Sequence, residues 1–308
     1  MSAEVVLGVK NLRKYYGQVK AVNGISFEVK RGECLAILGP NGAGKTTTVE
    51  ILEGLRKPDA GEIYYFGKVV KRIDDSIKER IGVQLQSSAF LEHLTVKETL
   101  DFFGGLYSKR LPSKELIRLL SLEEKVNARV KGLSGGQLQR LAVAVALIND
   151  PEIVYLDEPT TGMDPQARRM LWSTVEDLKK RGKTVILTTH YMEEAEYLAD
   201  RVLIIDHGKV IAEGTVEELI RSIGEQSIIE FSLAGIETIS IENLKKLLPD
   251  IEALEEGRCM ITTNKVEESL SQLFEKTKNT GIIIDDVIIR RPNLEDVFLK
   301  LTGRSLRD

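Results

Sequence analysis

Three short strings in this chain combine residue types that can handle phosphate and water. Gly39-Pro40-Asn41-Gly42-Ala43-Gly44-Lys45-Thr46 has the spacing glycine, four residues, glycine-lysine-threonine. Glycines let backbone N–H groups wrap a phosphate where a helix begins, and the helix N-terminus adds positive potential. Lys45 is a point charge for β- and γ-phosphates, and the Thr46 hydroxyl is placed to ligate Mg²⁺. Thr47, the next residue, is counted with this phosphate-binding set. The context fits: the apolar run Cys34 to Leu38 precedes the loop and a helical stretch from Thr46 to Leu55 follows.

The second string, Ile153-Val154-Tyr155-Leu156-Asp157-Glu158, is an apolar strand that ends in two carboxylates. Asp157 is expected to hold Mg²⁺ through water, and Glu158 to polarise a water for attack. The third, Leu133-Ser134-Gly135-Gly136-Gln137, precedes the helical run Leu138 to Ile148. Ser134 is a natural N-cap, and Gly135 and Gly136 leave backbone N–H groups bare, so this is a second anion site at a helix start. Two such sites serve one phosphate either by folding together or by coming from different chains.

These residues need elements to hold them. Leu35 to Leu38, Ile153 to Leu156 and Thr184 to Thr188 are short, continuously apolar runs, as in strands buried on both faces. Helical stretches such as Gln166 to Lys180 separate them, which predicts a doubly wound, mostly parallel α/β sheet with helices on both faces. Val202 to Asp206 and Lys209 to Ala212 flank His207-Gly208 and read as a closing hairpin. Thr215, with Glu218 three residues on, starts a helix that runs to about Ser222.

Gly224 and Glu225 then break the pattern, which places a domain boundary between residues 223 and 224. Beyond it, strands at Ile228 to Leu233, Ile251 to Leu254, Cys259 to Thr263 and Ile282 to Ile289 alternate with helices at Ile241 to Leu248 and Val266 to Lys278. That β-α-β-β-α-β order predicts a small ferredoxin-like domain over residues 224–308, with a last helix from Leu294 to Leu301.

With 308 residues, 42% of them hydrophobic, the chain can support two domains. A net charge of −4 argues against a sequence-independent nucleic-acid binder, and no nucleic acid partner is expected. Cys34 and Cys259, far apart, make neither a disulfide framework nor a zinc cluster. Met1-Ser2-Ala3-Glu4 leads directly into a strand-like run, so no leader is expected. The longest apolar helical run, Leu141 to Ile148, falls far short of the roughly 20 residues of a membrane span.

The phosphate loop, the Leu-Ser-Gly-Gly-Gln string and the Asp-Glu pair, in that order, resemble the nucleotide-binding domains of ATP-binding-cassette (ABC) proteins. The resemblance covers about residues 4 to 222 and includes Gly162-Met163-Asp164, where the family more often has leucine for Met163. The tail Arg291 to Arg304, with Leu294-Glu295-Asp296-Val297-Phe298-Leu299, resembles cassette ATPases of the daunorubicin-resistance type of ABC-2 exporters. The resemblance implies a P-loop ATPase domain with an antiparallel β portion and a helical subdomain, the latter around Leu100 to Val130. It implies ATP and Mg²⁺ as ligands, Gln86 as Mg²⁺ sensor facing the membrane partner, and His190 as a γ-phosphate contact. Gln84 competes with Gln86 for its place. An aromatic should stack on adenine; Tyr15 and Tyr16 compete, and Tyr16, directly before Gly17, is preferred. The resemblance also implies a homodimer enclosing two ATP, a multi-span permease, and a cytoplasmic position on the inner face of the membrane. A soluble ABC ATPase of translation or repair is the alternative.

Overall fold

The computed structural model describes residues 4–85, 90–224, 226–234, 251–253, 258–278 and 283–303. The chain divides into two compact units, Met1–Val216 and Glu217–Ser305. The expected boundary at Gly224 thus lies one helix further along than this division.

In the first unit, β1 (Val5–Tyr16), β2 (Val19–Lys30), β4 (Ala60–Tyr65) and β5 (Lys68–Val70) form an antiparallel sheet in the order β2-β1-β4-β5. A second sheet of six strands combines β3 (Cys34–Leu38), β6 (Ile81–Gln84), β7 (Ile153–Asp157), β8 (Thr184–Thr189), β9 (Arg201–Asp206) and β10 (Lys209–Gly214). Its order is β10-β9-β3-β8-β7-β6; all neighbours run parallel except β10, which returns from β9 as the expected hairpin.

Side chains alternate across this sheet with period two, and both faces are dry. Leu35, Ile37, Ile153, Tyr155, Ile186 and Leu203 enter one core, shared with β1 and β2. Cys34, Val154, Leu156, Val185 and Leu187 enter the other. Burial on both faces is why these strands read as unbroken apolar runs. Cys34 is fully buried there, and loss of water pushes its thiol well above the usual range, so it is an inert core residue.

The second core is completed by α3 (Val96–Gly104), α4 (Ser113–Leu119), α5 (Gly135–Ala146) and α6 (Pro165–Lys180), through Val96, Leu100, Leu116, Leu141 and Leu171. Thr95 and Glu98 close a reciprocal capping box at the start of α3. Among the described residues no helix is long and apolar enough to cross a membrane.

In the second unit, α8 (Val216–Ser222) is followed by β11 (Ser227–Ala234), β12 (Ile251–Ala253), β13 (Arg258–Thr263) and β14 (Ile283–Arg290), in the order β12-β13-β11-β14, every pairing antiparallel. Phe231, Ile229, Ile261 and Leu273 form its own core. Helices Val266–Thr277 and Leu294–Thr302 are present, the latter capped by Asn293 and Asp296. The helix expected at Ile241 to Leu248 lies outside the described residues.

The helix after the phosphate loop, α1 (Lys45–Leu52), ends earlier than its apolar pattern predicts. Gly54 adopts φ +83°, and the Leu55 N–H donates back to the Glu50 carbonyl at 2.8 Å, a left-handed glycine stop. The stop leaves Glu53 buried, with Oε1 lacking a hydrogen-bond partner among the described residues. Burial, then the nearby charges of Asp157 and Glu50, push its carboxyl from 4.5 to about 8. The fold therefore keeps a proton that the unfolded chain releases, so this group lowers stability as pH rises from about 4.5 to about 8. Glu53→Gln in the nucleotide-free protein should flatten the decline of Tm across that interval, measured by thermal melts at stepped pH. An unchanged slope would show that Glu53 is ionised in the fold.

Candidate active site

The C-terminal ends of β3, β7 and β8 lie side by side, since Leu38 pairs with Thr189 and Asp157 with Thr188. Residues that follow these strands are therefore delivered to one place. After β3 the chain makes the phosphate loop, and Gly44, at φ 103°, caps α1. A Cβ on Gly39 would collide with the Ile205 carbonyl and one on Gly44 with the Ala21 carbonyl, so both positions require glycine.

Lys45 begins α1 with its side chain only 4% exposed. Its ammonium donates to the carbonyls of Gly39 (2.7 Å) and Pro40 (3.1 Å) and stands 3.8 Å from Glu158 Oε1. Burial lowers its pKa, and the charges of Glu158 and Asp157 oppose that shift. Thr46 and Thr47 follow on the first turn, half-buried.

The carboxylates after β7 are separated by backbone geometry. Asp157 is buried and accepts a hydrogen bond from the Thr188 hydroxyl. Loss of water raises its pKa, and the neighbouring Glu158 charge adds to the rise, while the Thr188 hydroxyl and Lys45 oppose it. Glu158 has φ +46°, the left-handed region a side chain rarely adopts. Such backbone stores on the order of 1–3 kcal/mol and persists where surrounding contacts enforce it. Here the Glu158 N–H donates to the hydroxyl (3.0 Å) and carbonyl (3.2 Å) of Thr188. Its carboxylate accepts from the Thr161 hydroxyl at 3.3 Å and lies 3.4 Å from His190 Nδ1. Lys45, Asp157, Glu158 and His190 are thus brought together from three separate parts of the chain.

Ser134 caps α5 with its hydroxyl accepting from the Gln137 N–H at 3.3 Å, and the Gln137 side chain accepts from the Ser134 N–H at 3.0 Å. Gln137, expected at the phosphate site, is thereby engaged in holding the cap. A Cβ built on Gly135 would meet nothing within 4 Å, so this corner opens outward. Tyr15 is anchored by its hydroxyl donating to Asn23 at 3.2 Å, whereas the Tyr16 ring is 42% exposed, with Lys14 and Arg56 beside it. Gln86 lies outside the described residues. Gln84, its competitor, is buried on β6 and donates to the Leu85 carbonyl at 2.7 Å.

Two contributors escape a reading by motif. Thr188 is an ordinary β-branched strand residue in sequence, yet it holds the Asp157 carboxylate and the Glu158 backbone N–H. Glu194, on α7 (Met192–Leu198), is fully buried and accepts from the Trp172 indole at 3.0 Å. Burial raises its pKa, and the hydrogen bond from the Trp172 indole opposes that shift. It ties α7, just after His190, to α6, and no periodicity announces a buried acid.

The residues present suit a divalent cation arriving with phosphate. Asp157 and Glu158 place two buried carboxylates beside a single lysine, an excess of negative charge that a cation would relieve. Among the described residues no cluster of three acidic, histidine or cysteine side chains is arranged to hold a metal alone. Mg²⁺ is typically held in this way, by one or two protein ligands and the substrate's phosphates.

A glycine loop between a parallel strand and a helix, facing two carboxylates at the next strand's end, defines a phosphate-loop nucleoside triphosphatase. Residues 22–161 match the family described as ABC transporter. The chain is 40% identical over 314 residues to the Nod factor export ATP-binding protein I of Ralstonia nicotianae, covering 98% of this chain and 95% of that one. It is 37% identical over 311 residues to the linearmycin resistance ATP-binding protein LnrL of Bacillus subtilis, covering 98% and 100%. The dimeric post-hydrolysis structure of the ATP-binding cassette MJ0796, bound to ADP and Pi, superposes with a TM-score of 0.62 at 29% identity, covering 68% of this chain and 98% of that one. The chain belongs to the ABC transporter family, as one of its ATP-hydrolysing, ATP-binding subunits.

The exposed Tyr16 ring and the tethered Tyr15 generate a test. Tyr16→Ala should weaken ATP and ADP alike by roughly tenfold, the loss of about 1–3 kcal/mol of base stacking, with kcat at saturating ATP little changed. Tyr15→Ala should leave both affinities near wild type. Titration of a fluorescent ATP analogue checks both, and the reverse ranking would move the adenine site to Tyr15.

Proposed function

We propose that this chain is the motor of a membrane exporter, a subunit that closes in pairs around ATP and drives a separate multi-span permease. The observation that carries the catalytic part is Glu158 held between Lys45 and His190 at the end of β7. Glu158 orients and activates the attacking water; Lys45, Ser134 and His190, with Gln86, spread the charge that develops on the γ-phosphate. Thr46, Gln86 and water bound at Asp157 are the ligands assigned to Mg²⁺, whose charge would stabilise the transferring phosphoryl group. Tyr16 receives the adenine, and the loop from Gly39 through Pro40, Asn41, Gly42, Ala43 and Gly44 to Lys45, Thr46 and Thr47 receives the phosphates.

End-to-end similarity to two export and resistance ATP-binding proteins supports export over a soluble role in translation or repair. The proposed cargo is a drug, antibiotic, lipid or similar molecule. Phe90, Phe102 and Phe103 meet edge to face, with Phe102, Leu91 and Leu106 exposed. This aromatic patch close to Gln86 in sequence is assigned to the permease, which would hold the subunit on the inner face of the membrane.

The dimer follows from the two anion sites. Gly135 opens outward, so its backbone is available to an ATP held by the phosphate loop of a second copy. The dimeric MJ0796 cassettes support this arrangement.

Glu158→Gln should retain ATP binding and lose roughly 10²–10⁴-fold in hydrolysis, accumulating ATP-bound dimers; phosphate release and size-exclusion chromatography read both. Near-normal turnover would remove Glu158 from the mechanism. Lys45→Ala and Gly135→Asp should each be inactive alone. Mixed, they form heterodimers with one intact site, and ATPase activity should return in proportion. A heterodimer of wild type with the Lys45→Ala, Gly135→Asp double variant has no intact shared site and should be dead. Activity in that control with none in the mixture would show that each site lies within one chain.

A further inference from the structure

The turn that follows α1 is stitched to the end of β1. Beyond the left-handed Gly54, the N–H groups of Leu55 and Arg56 both donate to the Glu50 carbonyl, at 2.8 and 3.1 Å. Asp59 then joins the turn to the strand. Its N–H donates to the Arg13 carbonyl at 2.8 Å, and its carboxylate accepts from the Tyr15 N–H at 2.7 Å and the Lys14 ammonium at 2.9 Å. Residues 54–59 thus lie against the strand end that carries Tyr16, and the phosphate chemistry uses none of them.

Arg56 reaches Tyr16 from this turn. Its guanidinium carbon is 5.7 Å from the centre of the Tyr16 ring, within the range over which a cation is drawn to an aromatic face. The Lys14 ammonium stands 5.6 Å from the same ring centre. The two cations differ in what holds them. Lys14 is paired with Asp59 in the turn, through a single ammonium contact. Arg56 is paired with Glu50, whose two oxygens accept from Nε and from Nη2, the latter at 3.3 Å. A guanidinium gripped through two nitrogens is fixed in plane as well as in place.

Glu50 belongs to α1, whose first residue is Lys45 of the phosphate loop. One helix therefore connects the two ends of the nucleotide site. It carries Lys45 where the phosphates arrive and, through Glu50 and Arg56, bears on the ring assigned to adenine. A half-exposed tyrosine left alone samples several rotamers and loses that freedom when a base stacks on it. A ring already held by a fixed cation has less to lose, so a nucleotide that stacks there binds more tightly.

We propose that Arg56 is the positioning residue of the base subsite, holding the Tyr16 ring at a distance from the phosphate loop that α1 sets, a role that presupposes Tyr16 as the adenine platform. Arg56 then makes no contact with phosphate and takes no part in hydrolysis.

Wild type, Tyr16→Ala, Arg56→Ala and the double variant test this, each full chain titrated with ATP, with ADP and with tripolyphosphate, which has no base, in competition with a fluorescent ATP analogue. Arg56→Ala should weaken ATP and ADP roughly two- to fivefold, with kcat at saturating ATP unchanged. Tripolyphosphate should bind wild type and Arg56→Ala alike, which also shows an intact phosphate site. In the Tyr16→Ala background, Arg56→Ala should add no further loss, since the ring it holds is gone. An ATP affinity untouched by Arg56→Ala would overturn the proposal. So would a tighter one, which would put the guanidinium where the base belongs. A loss shared with tripolyphosphate would place Arg56 at the phosphates, and additive losses in the double variant would place it on the nucleotide directly; either overturns the positioning role. If Tyr16→Ala is itself silent, the adenine platform and the role of Arg56 fall together. If Tyr16→Ala weakens ATP and Arg56→Ala does not, the platform stands and only the role of Arg56 falls.

Discussion

A lysine ammonium buried behind two carbonyls and a glutamate constrains everything around it. Removing a cation from water is expensive unless hydrogen bonds and opposite charge surround it. Lys45 meets those terms by folding back on Gly39 and Pro40 and by facing Glu158. The loop must then be glycine-rich, because side chains at Gly39 and Gly44 would strike the backbone at Ile205 and Ala21. Glu158 must be turned into an unfavourable backbone conformation to face the lysine, and Thr188 must hold it there. A site arranged around a desolvated positive charge favours the arrival of a polyanion.

The parallel sheet is what makes that arrangement affordable. Parallel strands deliver their C-terminal ends to one edge, where loops from β3, β7 and β8 converge. Because both faces of the sheet are covered, its strands are fixed by alternating side chains in two separate cores, with little freedom to slip in register. The side chains of the candidate site thus inherit their positions from packing that is apolar and distant from them. Glu194 extends this from behind, a buried acid just after His190 that holds the Trp172 indole of α6.

The second unit follows a different rule. Among the described residues its antiparallel sheet has its own core, centred on Phe231 and Leu273. Polar anchoring supplements it: Arg290 reaches both Glu230 on β11 and Asp296 in the last helix, joining strand and helix by charge. The Leu294-to-Leu299 segment, which carries the resemblance of the tail, is the helix whose Leu294, Val297 and Phe298 are fully buried. Its pattern is therefore accounted for by packing as well as by kinship.

Sequence alone determined the elements whose signal is local. The phosphate loop, the Asp157–Glu158 strand end and the Ser134 cap are contiguous strings, and strands buried on both faces announce themselves as unbroken apolar runs. The hairpin at His207-Gly208 and the helix from Gln166 to Lys180 were legible for the same reason. What depends on contacts between distant segments was decided only by tertiary structure. That α1 stops at Leu52 rests on the conformation of Gly54; that Tyr15 is tethered rests on Asn23, eight residues away, while the Tyr16 ring stays exposed. Gln137, part of the Leu-Ser-Gly-Gly-Gln string, also closes the Ser134 cap, a contact made by its side-chain direction. Thr188 and Glu194 look like any strand threonine or helix glutamate until folding places them against carboxylate and indole. A residue's type and spacing record what it can do; which partner Thr188 and Glu194 meet is fixed by the packing of segments 31 and 22 residues apart, and no local pattern encodes that.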